Sequence, residues 1–223
     1  MIGTGLAGFI DHTLLRAETT AEDIERLCAE ARQYGFIAVC VNGSWVRHAR
    51  KLLAGSAVMV SSVAGFPLGA MAAESKCSET ETAVLHGAHE IDVVLNIGRL
   101  KQGDDQYVLD ELRGIVRAAA GQAVKVIIET CLLKDNEKIR ACRLVVESGA
   151  RFVKTSTGFS SGGATIEDVK LMRRTAGPNF GIKASGGIRD AQTAVAMIEA
   201  GATRLGTSSG VAIVKSVGSE PRA

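Results

Sequence analysis

The sequence predicts an α/β protein with a single-domain (β/α)8 TIM-barrel fold over residues 1–223. Two observations favour this fold: eight short β-branched runs alternate with stretches of helical period, and a chain of this length suits one such barrel. The alternative is a doubly wound open sheet, which predicts fewer strands and a GxGxxG motif after the first strand. The first run is instead followed by Leu14-Leu15-Arg16-Ala17, so we favour the barrel.

The eight predicted strands and the helices between them cover most of the chain. The strands are Phe9–Thr13, Ala38–Asn42, Val58–Phe66, Glu90–Asn96, Val124–Thr130, Arg151–Thr157, Gly181–Gly187 and Arg204–Gly210. The helices are Thr20–Tyr34, Ser44–Leu53, Met71–His86, Asp104–Ala120, Asn136–Ser148, Ile166–Arg174 and Asp190–Ala200. A short C-terminal helix is expected after Gly210.

Capping residues and glycines set the expected helix boundaries. Thr19 precedes Glu22 by three residues and Thr165 precedes Asp168 by three, and both pairs resemble capping boxes. Glycine tolerates the left-handed conformation in which many helices end. Four glycines are expected in that role, namely Gly35, Gly87, Gly149 and Gly201.

Composition excludes several classes of function. The 26 basic and 24 acidic residues give a net charge of +2, too balanced to indicate a nucleic-acid or membrane surface. Apolar runs are shorter than the ~18 residues of a spanning helix, and the N-terminus lacks the pattern of a signal peptide. The five cysteines are odd in number and form no CxxC pair, which predicts reduced thiols in a cytoplasmic protein.

Two lysines lie inside apolar strand-like runs, Lys154 in Phe152–Gly158 and Lys183 in Gly181–Gly187. Lysine is seldom buried, and a buried ammonium is costly. Neighbouring strands are about 4.8 Å apart, so two inward lysines could approach each other and each lower the pKa of the other. A neutral amine can form a Schiff base with a carbonyl. The bland alternatives are surface lysines at strand ends or a lysine that binds phosphate.

Three further side chains fall at strand positions that would face the same end of a barrel. Asp92 lies within a β-branched run, where it could relay protons beside the lysines or form a structural ion pair. Asp11 allows the same two interpretations, and we favour the structural one. Cys40 could lie near a substrate, although an inert buried thiol is the simpler interpretation.

The loops after the last two strands predict a phosphate site. Gly186-Gly187 follows the seventh run and Ser208-Ser209-Gly210 follows the eighth. Barrels often bind phosphate there, because glycines let backbone N–H groups approach the anion and serines add hydroxyl donors. The loop 157–163 could close over the same end. A metal site is not expected, since the two histidines of His86-Gly87-Ala88-His89 are separated by a helix-ending glycine and no cluster of ligands completes a site.

These motifs together resemble those of the deoxyribose-phosphate aldolases, which are class I aldolases with a (β/α)8 barrel. The Lys154-Thr155-Ser156-Thr157-Gly158 block, followed by Lys183-Ala184-Ser185-Gly186-Gly187, is the most specific part of the match. The other matching segments are Ile10–Leu15, Val39–Asn42, Val63–Gly69, Glu90–Asn96, Val126–Thr130 and Arg204–Gly210. The resemblance covers nearly the whole chain.

The resemblance implies reversible cleavage of 2-deoxy-D-ribose 5-phosphate to D-glyceraldehyde 3-phosphate and acetaldehyde without a cofactor. It assigns the Schiff base to Lys154, perturbation of its pKa to Lys183 and proton transfer to Asp92. The residues expected to contact substrate are Asp11, Cys40, Thr155, Thr157, Gly158, Gly186, Gly187, Ser208 and Ser209. The expected partners are the sugar phosphate, aldehydes and other copies of the chain in a homodimer or homotetramer, with no nucleic acid or membrane.

Two positions depart from some members of that family. Phe159 stands where some members have a lysine that would help to hold phosphate. The chain ends in Ser219–Ala223 without the terminal tyrosine that some members carry. Two other functions remain open at this point: a Schiff-base barrel that uses a ketone donor, such as a transaldolase-like or keto-acid aldolase, and a non-catalytic barrel that binds sugar phosphate.

Overall fold

The computed structural model describes residues 5–218 and contains a closed barrel of eight parallel strands in the order β1 to β8. The predicted TIM-barrel fold is confirmed. The C-terminal tail discussed above, Ser219–Ala223, lies outside the described residues. Among those described, no helix combines the length and apolar character needed to cross a bilayer.

Strands and helices alternate along the described chain. The strands are β1 (Ile10–Leu14), β2 (Ala38–Val41), β3 (Met59–Ala64), β4 (Glu90–Val94), β5 (Ala123–Ile127), β6 (Phe152–Lys154), β7 (Gly181–Ser185) and β8 (Arg204–Thr207). The α-helices are α1 (Ala21–Tyr34), α2 (Val46–Leu52), α3 (Ala73–Leu85), α4 (Ile97–Gln102), α5 (Asp105–Ala118), α6 (Asp135–Glu147), α7 (Ile166–Ala176), α8 (Ala191–Glu199) and α9 (Gly210–Gly218). Short 3-10 turns cover Leu6–Phe9, Gly43–Trp45 and Thr130–Leu132.

Most predicted strands are too long at their C-terminal ends, because the chain leaves the sheet where the loops of the barrel mouth begin. Helix α4 is absent from the prediction for the same reason. Asn96 was assigned to a strand, but its side chain accepts a hydrogen bond of 3.1 Å from the backbone N–H of Arg99 and caps α4. Asparagine is among the preferred N-cap residues. A polar residue after a buried strand therefore marks the start of a helix here.

One predicted cap is wrong by a single residue. The capping box of α1 is formed by Thr20 and Asp23, not by Thr19 and Glu22. The Thr19 hydroxyl instead donates to the carbonyl of Arg16 at 2.8 Å and closes the preceding turn. The cap at Thr165 is confirmed, since its side chain accepts from the backbone N–H of Asp168 at 3.0 Å.

The apolar core lies between the outer face of the barrel and the helices. In β5, Val124 and Val126 belong to this core, whereas Lys125 between them points to the opposite face, as alternation along a strand requires. Strands of parallel sheets are usually apolar on both faces, because both faces are covered. Here the interior of the barrel is lined by fully buried charges, among them Asp11, Asp92 and Lys183.

The five cysteines are free thiols, and three of them are buried. Burial raises the pKa of Cys28 to about 11 and that of Cys142 to about 12. The thiolate is the reactive form of cysteine, so these two side chains behave as small apolar groups near neutral pH.

Candidate active site

Strand pairing brings the two predicted lysines together. Lys154 at the end of β6 is the direct Cα partner of Lys183 on β7, and both side chains point into the barrel. Lys154 is 2% exposed and Lys183 is fully buried. Oδ2 of Asp92 accepts from both amines, at 2.7 Å from Nζ of Lys154 and 2.6 Å from Nζ of Lys183. The three residues assigned to catalysis thus share one carboxylate oxygen.

The two lysines have different electrostatic environments. Burial lowers the pKa of Lys154, and the Asp92 carboxylate does not fully offset this effect, so the pKa lies below its ordinary value. Burial also lowers the pKa of Lys183, but Asp11 and Asp92 outweigh it and hold that pKa above its ordinary value. We expected each lysine to lower the pKa of the other. Only Lys154 has a lowered pKa, because Lys183 has a second carboxylate, that of Asp11.

Asp92 is the centre of the charge network. Burial would raise its pKa, but Lys125, Lys154 and Lys183 hold the pKa well below its ordinary value. Its Oδ1 accepts from Nζ of Lys125 at 2.8 Å and from the hydroxyl of Ser61 at 3.0 Å. Both oxygens are therefore occupied. The carboxylate is ionised and fixed in orientation in the free protein.

Three charged residues of this network were not singled out in the sequence. Lys125 lies 2.7 Å from Oε2 of Glu90, and Arg204 donates to both Glu90 oxygens at 3.0 and 3.1 Å and to Asp11 at 2.7 Å. For two of them, Lys125 and Glu90, a signal was present in the sequence. Lys125 stands between valines of β5 just as Lys154 follows a valine of β6, and Glu90 precedes Asp92 by two positions on the same face of β4.

A glycine makes room for Lys183. A Cβ added at Gly206 of β8 would lie 3.0 Å from Cε of Lys183 and 2.9 Å from Cβ of Ser185. These distances are below ordinary van der Waals contact, so a larger residue at position 206 would displace the lysine chain. The absence of a side chain on β8 thus allows Lys183 to extend toward Asp11 and Asp92.

A cavity of about 480 Å³ opens at the C-terminal end of the barrel. Its walls come from the loops after β1, β6, β7 and β8. The lining residues are Thr13, Leu14, Leu15, Arg16, Lys154, Thr157, Gly158, Phe159, Ser185, Gly186, Gly187, Ile188, Arg189, Gly206, Thr207 and Ser208. Lys154 is the one lysine of the interior network in this lining, so its amine can meet a small molecule from solvent.

The predicted contact residues divide into two groups. Five line the cavity, namely Thr157, Gly158, Gly186, Gly187 and Ser208. The other four, Asp11, Cys40, Thr155 and Ser209, do not.

The four residues that do not line the cavity have other contacts in the structure. Asp11 is held by Lys183 and Arg204 inside the barrel. Cys40 is fully buried and packs with Leu15 and Val63. Thr155 joins β6 to β7, because its hydroxyl donates to the carbonyl of Ser185 and accepts from the N–H of Ser185, both at 3.1 Å. The backbone N–H of Ser209 donates to the Thr207 hydroxyl at 2.9 Å.

Glu129 anchors the loop that follows Lys154. Its buried carboxylate accepts from the backbone N–H of Thr157 at 3.2 and 3.3 Å and from the Thr157 hydroxyl. Glu129 has a φ of +51°, a left-handed conformation that costs free energy for a residue with a side chain. Such strain is tolerated where surrounding contacts impose it. The contacts to Thr157 are of this kind and position one wall of the cavity.

The same loop is held against the loop after β7 by its backbone. The N–H of Ala164 donates to the carbonyls of Ser185 and Gly186, both at 3.0 Å. A Cβ at Gly163 would lie 2.3 Å from the Gly186 oxygen, so this approach requires glycine. In the same loop, the half-exposed ring of Phe159 contacts Phe66 edge-on, with centroids 5.3 Å apart.

Comparison with known proteins agrees with this geometry. Residues 6–216 match the family model described as DeoC/LacD family aldolase. The chain is 59% identical over 206 residues to the deoxyribose-phosphate aldolase of Brevibacillus brevis, covering 92% of this chain and 93% of that protein. It is also 59% identical over 211 residues to the deoxyribose-phosphate aldolase of a Geobacillus species, with 94% and 95% covered.

A solved structure of a deoxyribose phosphate aldolase is also similar to this chain. The tetrameric deoxyribose phosphate aldolase of Aeropyrum pernix superposes with a TM-score of 0.91 at 37% identity, over 97% of this chain and 92% of that one. The matched range, residues 6–216, spans all eight strands of the barrel. The chain belongs to the DeoC/LacD family of aldolases.

Proposed function

We propose that this aldolase reversibly cleaves 2-deoxy-D-ribose 5-phosphate to D-glyceraldehyde 3-phosphate and acetaldehyde through a Schiff base on Lys154. The observation that carries the proposal is the placement of Lys154. Its buried amine has a lowered pKa, lies 2.7 Å from Asp92 and borders an open cavity. The choice of substrate rests on the relatives at 59% identity, which are deoxyribose-phosphate aldolases.

The first half of the reaction forms the electron sink. The neutral amine of Lys154 attacks C1 of the open-chain aldehyde, and loss of water from the carbinolamine gives an iminium ion. Asp92 contacts the same nitrogen and so lies close to the protons that move in these steps. Removal of the proton from the C3 hydroxyl then breaks the C2–C3 bond. Glyceraldehyde 3-phosphate leaves, and the bond electrons reside in an enamine on Lys154.

The second half returns the enzyme to its starting state. Protonation of the enamine at C2 regenerates an iminium ion, and water hydrolyses it to acetaldehyde and free Lys154. We assign the proton transfers to Asp92 and Lys183. The cations around Asp92 make it a weak base in the free protein. Conversion of the cationic iminium ion on Lys154 to a neutral enamine removes one positive charge beside Asp92, which makes Asp92 more basic at the stage where protons move.

The phosphate group fits the part of the cavity formed by the loops after β7 and β8. Gly186, Gly187 and Ser208 line it, and the exposed side chains of Arg16 and Arg189 add positive charge. Backbone N–H groups near a helix start bind anions well, and α9 begins just after this loop. The phosphate is remote from the broken bond, so it contributes binding energy and positions the reacting end of the substrate.

The test is reductive trapping of the intact protein with sodium borohydride in the presence of acetaldehyde. We expect one ethyl group on the amine of Lys154, located by peptide mass spectrometry. A substrate panel with acetaldehyde and dihydroxyacetone as donors then separates this function from a ketone-dependent Schiff-base aldolase. A folded protein that forms no adduct at Lys154 would overturn the proposed function.

We also propose that residues 1–223 act as one catalytic domain in a cytoplasmic homodimer or homotetramer. The relative from Aeropyrum pernix is tetrameric. The free cysteines suit a reducing compartment. Light scattering on the eluting protein gives the mass in solution, and a monomeric mass at working concentration would contradict the assembly.

A further inference from the structure

Lys125 lies below the proposed site and does not reach the cavity. It is fully buried on β5 and donates to Oδ1 of Asp92 at 2.8 Å and to the Ser61 hydroxyl at 3.0 Å. Its amine is 2.7 Å from Glu90 and 3.5 Å from Asp11. A substrate in the cavity meets Lys154 instead. Any effect of Lys125 on the reaction must therefore act through Asp92 and the charges around it.

The charges inside the barrel are unequal in number. Four basic groups face three carboxylates when all are ionised; they are Lys125, Lys154, Lys183 and Arg204 against Asp11, Glu90 and Asp92. An unbalanced charge in a buried site is costly, and a group that can lose its charge does so. Arginine does not lose its proton in proteins. One of the three lysines is therefore favoured in its neutral form.

The carboxylates are distributed so that Lys154 is that lysine. Lys183 contacts two of them, Asp11 and Asp92, and Lys125 contacts Glu90 and Asp92. Lys154 contacts only Asp92 and shares that oxygen with Lys183. The remaining titratable group that faces Lys154 is Cys40 of β2, whose thiol pKa is raised by burial. Burial likewise lowers the pKa of Lys154, whereas Asp92 and other carboxylates raise that of Lys125 against the effect of burial.

We propose that Lys125 is a positioning residue of this aldolase. It holds Asp92 in place from inside the barrel, and it supplies the surplus positive charge that leaves Lys154 as the neutral lysine. Glu90 and Arg204 complete the network, because Glu90 contacts Lys125 and Arg204 contacts Glu90 and supplies the fourth basic group. The inference rests on the proposed Schiff-base function and adds to it a control that extends beyond the pair of Lys154 and Lys183. The inference depends on the number of charges in the network. It therefore predicts that removal of a carboxylate restores the charge state of Lys154 after removal of a cation has changed it.

Three variants test whether the balance of cations and carboxylates inside the barrel sets the charge state of Lys154. Lys125→Met leaves three cations against three carboxylates, so Lys154 keeps its proton to higher pH. Glu90→Gln leaves four cations against two carboxylates, so Lys154 loses its proton at lower pH. The double variant Lys125→Met/Glu90→Gln has one surplus cation again, as in the natural protein. A matched control is Lys76→Met, which removes another fully buried lysine that has its own partner, Glu111, outside the barrel interior.

The readout is the acid limb of the pH profile of kcat/KM for cleavage, which reports the essential neutral amine of the free enzyme. We expect Lys125→Met to move this limb up by about one pH unit or more, which is about a tenfold loss on the acid side. Glu90→Gln should move it down, and the double variant should return it toward the natural position. Lys76→Met should leave it in place.

Borohydride trapping of each variant with acetaldehyde separates the two levels of the argument. Absence of a Lys154 adduct in the natural protein would count against the proposed function. If the natural protein is trapped and active but the limbs of Lys125→Met and the double variant coincide, a lost packing contact explains Lys125 and the inference is wrong. If Lys125→Met does not fold, the comparison of Glu90→Gln with the natural protein decides the same question, because the charge count predicts a downward shift of the limb and an unmoved limb overturns the inference.

Discussion

Lys154 and Lys76 are both buried lysines with a lowered pKa, yet only one of them is placed for chemistry. Burial lowers the pKa of each, and each has one acidic partner, Asp92 for Lys154 and Glu111 for Lys76. Lys76 lies on α3, donates to the carbonyl of Val94 at 2.8 Å and lies 2.9 Å from Glu111. It lines none of the described cavities.

The difference lies in access and in the number of charges nearby. Burial raises the pKa of Glu111 and lowers that of Lys76, and this pair balances one basic group against one carboxylate. Lys154 belongs to a larger network with more basic than acidic groups and borders the cavity. A lowered lysine pKa is therefore not sufficient evidence of a nucleophile. The surplus charge and the open path to solvent are the two features on which we base the proposal that Lys154 is the reactive amine.

The largest expected effect is that of Lys154→Ala, which removes the nucleophile. We expect kcat/KM for cleavage of 2-deoxyribose 5-phosphate to fall by about 10⁴-fold or more, as for loss of a covalent nucleophile in other enzymes. Borohydride and acetaldehyde should then label neither position 154 nor Lys76. Labelling of Lys76 in the natural protein would break the comparison, because it would show that the paired lysine on α3 is equally accessible.

Lys183→Leu should have the next largest effect. It removes a cation beside Lys154 and leaves Asp92 with fewer partners, and both changes stabilise the Lys154 ammonium. The pKa of Lys154 rises, so the neutral form appears only at higher pH and the acid limb of kcat/KM moves upward by about one to two units. The pH profile of purified protein measures this shift. An unmoved limb would show that Lys183 does not set the charge state of Lys154.

Ser208→Ala tests the cavity itself with a smaller effect. Ser208 lines the cavity where the phosphate is proposed to bind. Loss of one hydrogen bond to a charged group costs about 1.5–3 kcal/mol, or about tenfold or more in KM. Steady-state kinetics with 2-deoxyribose 5-phosphate and with unphosphorylated 2-deoxyribose should show the loss for the phosphorylated substrate alone. An equal loss for both sugars would place the phosphate elsewhere.

Lys76→Met should have the smallest effect on activity and a large one on stability. It leaves Glu111 buried without its partner, and breaking a buried ion pair costs about 3–5 kcal/mol in the free energy of unfolding. Urea denaturation measures this loss. The acid limb of the pH profile should stay in place, because Lys76 is outside the barrel interior. A displaced limb would show that the two buried ionic regions are coupled.

Much of this architecture could be predicted from the sequence because it depends on local patterns. The alternation of β-branched runs and amphipathic stretches predicted the barrel, and the lysines inside such runs predicted the pairing of Lys154 with Lys183 that the proposed Schiff-base site requires. The end of each strand was harder, since Asn96 continues an apolar run in sequence but caps a helix in space. The opposite pKa directions of Lys154 and Lys183 were also missed. They depend on which of two similar lysines reaches Asp11, and Asp11 is more than 140 residues away from either in the chain.

The contact between Gly163 and Gly186 divides the mouth of the barrel into positions that directed evolution can vary and positions that it cannot. Any side chain at residue 163 would collide with the Gly186 carbonyl. Phe159, on the same loop, is 55% exposed and has room for many replacements. A mutant library aimed at new acceptor aldehydes should therefore randomise Phe159 and keep both glycines. Any replacement of Gly163 or Gly186 would have to displace the backbone of the facing loop.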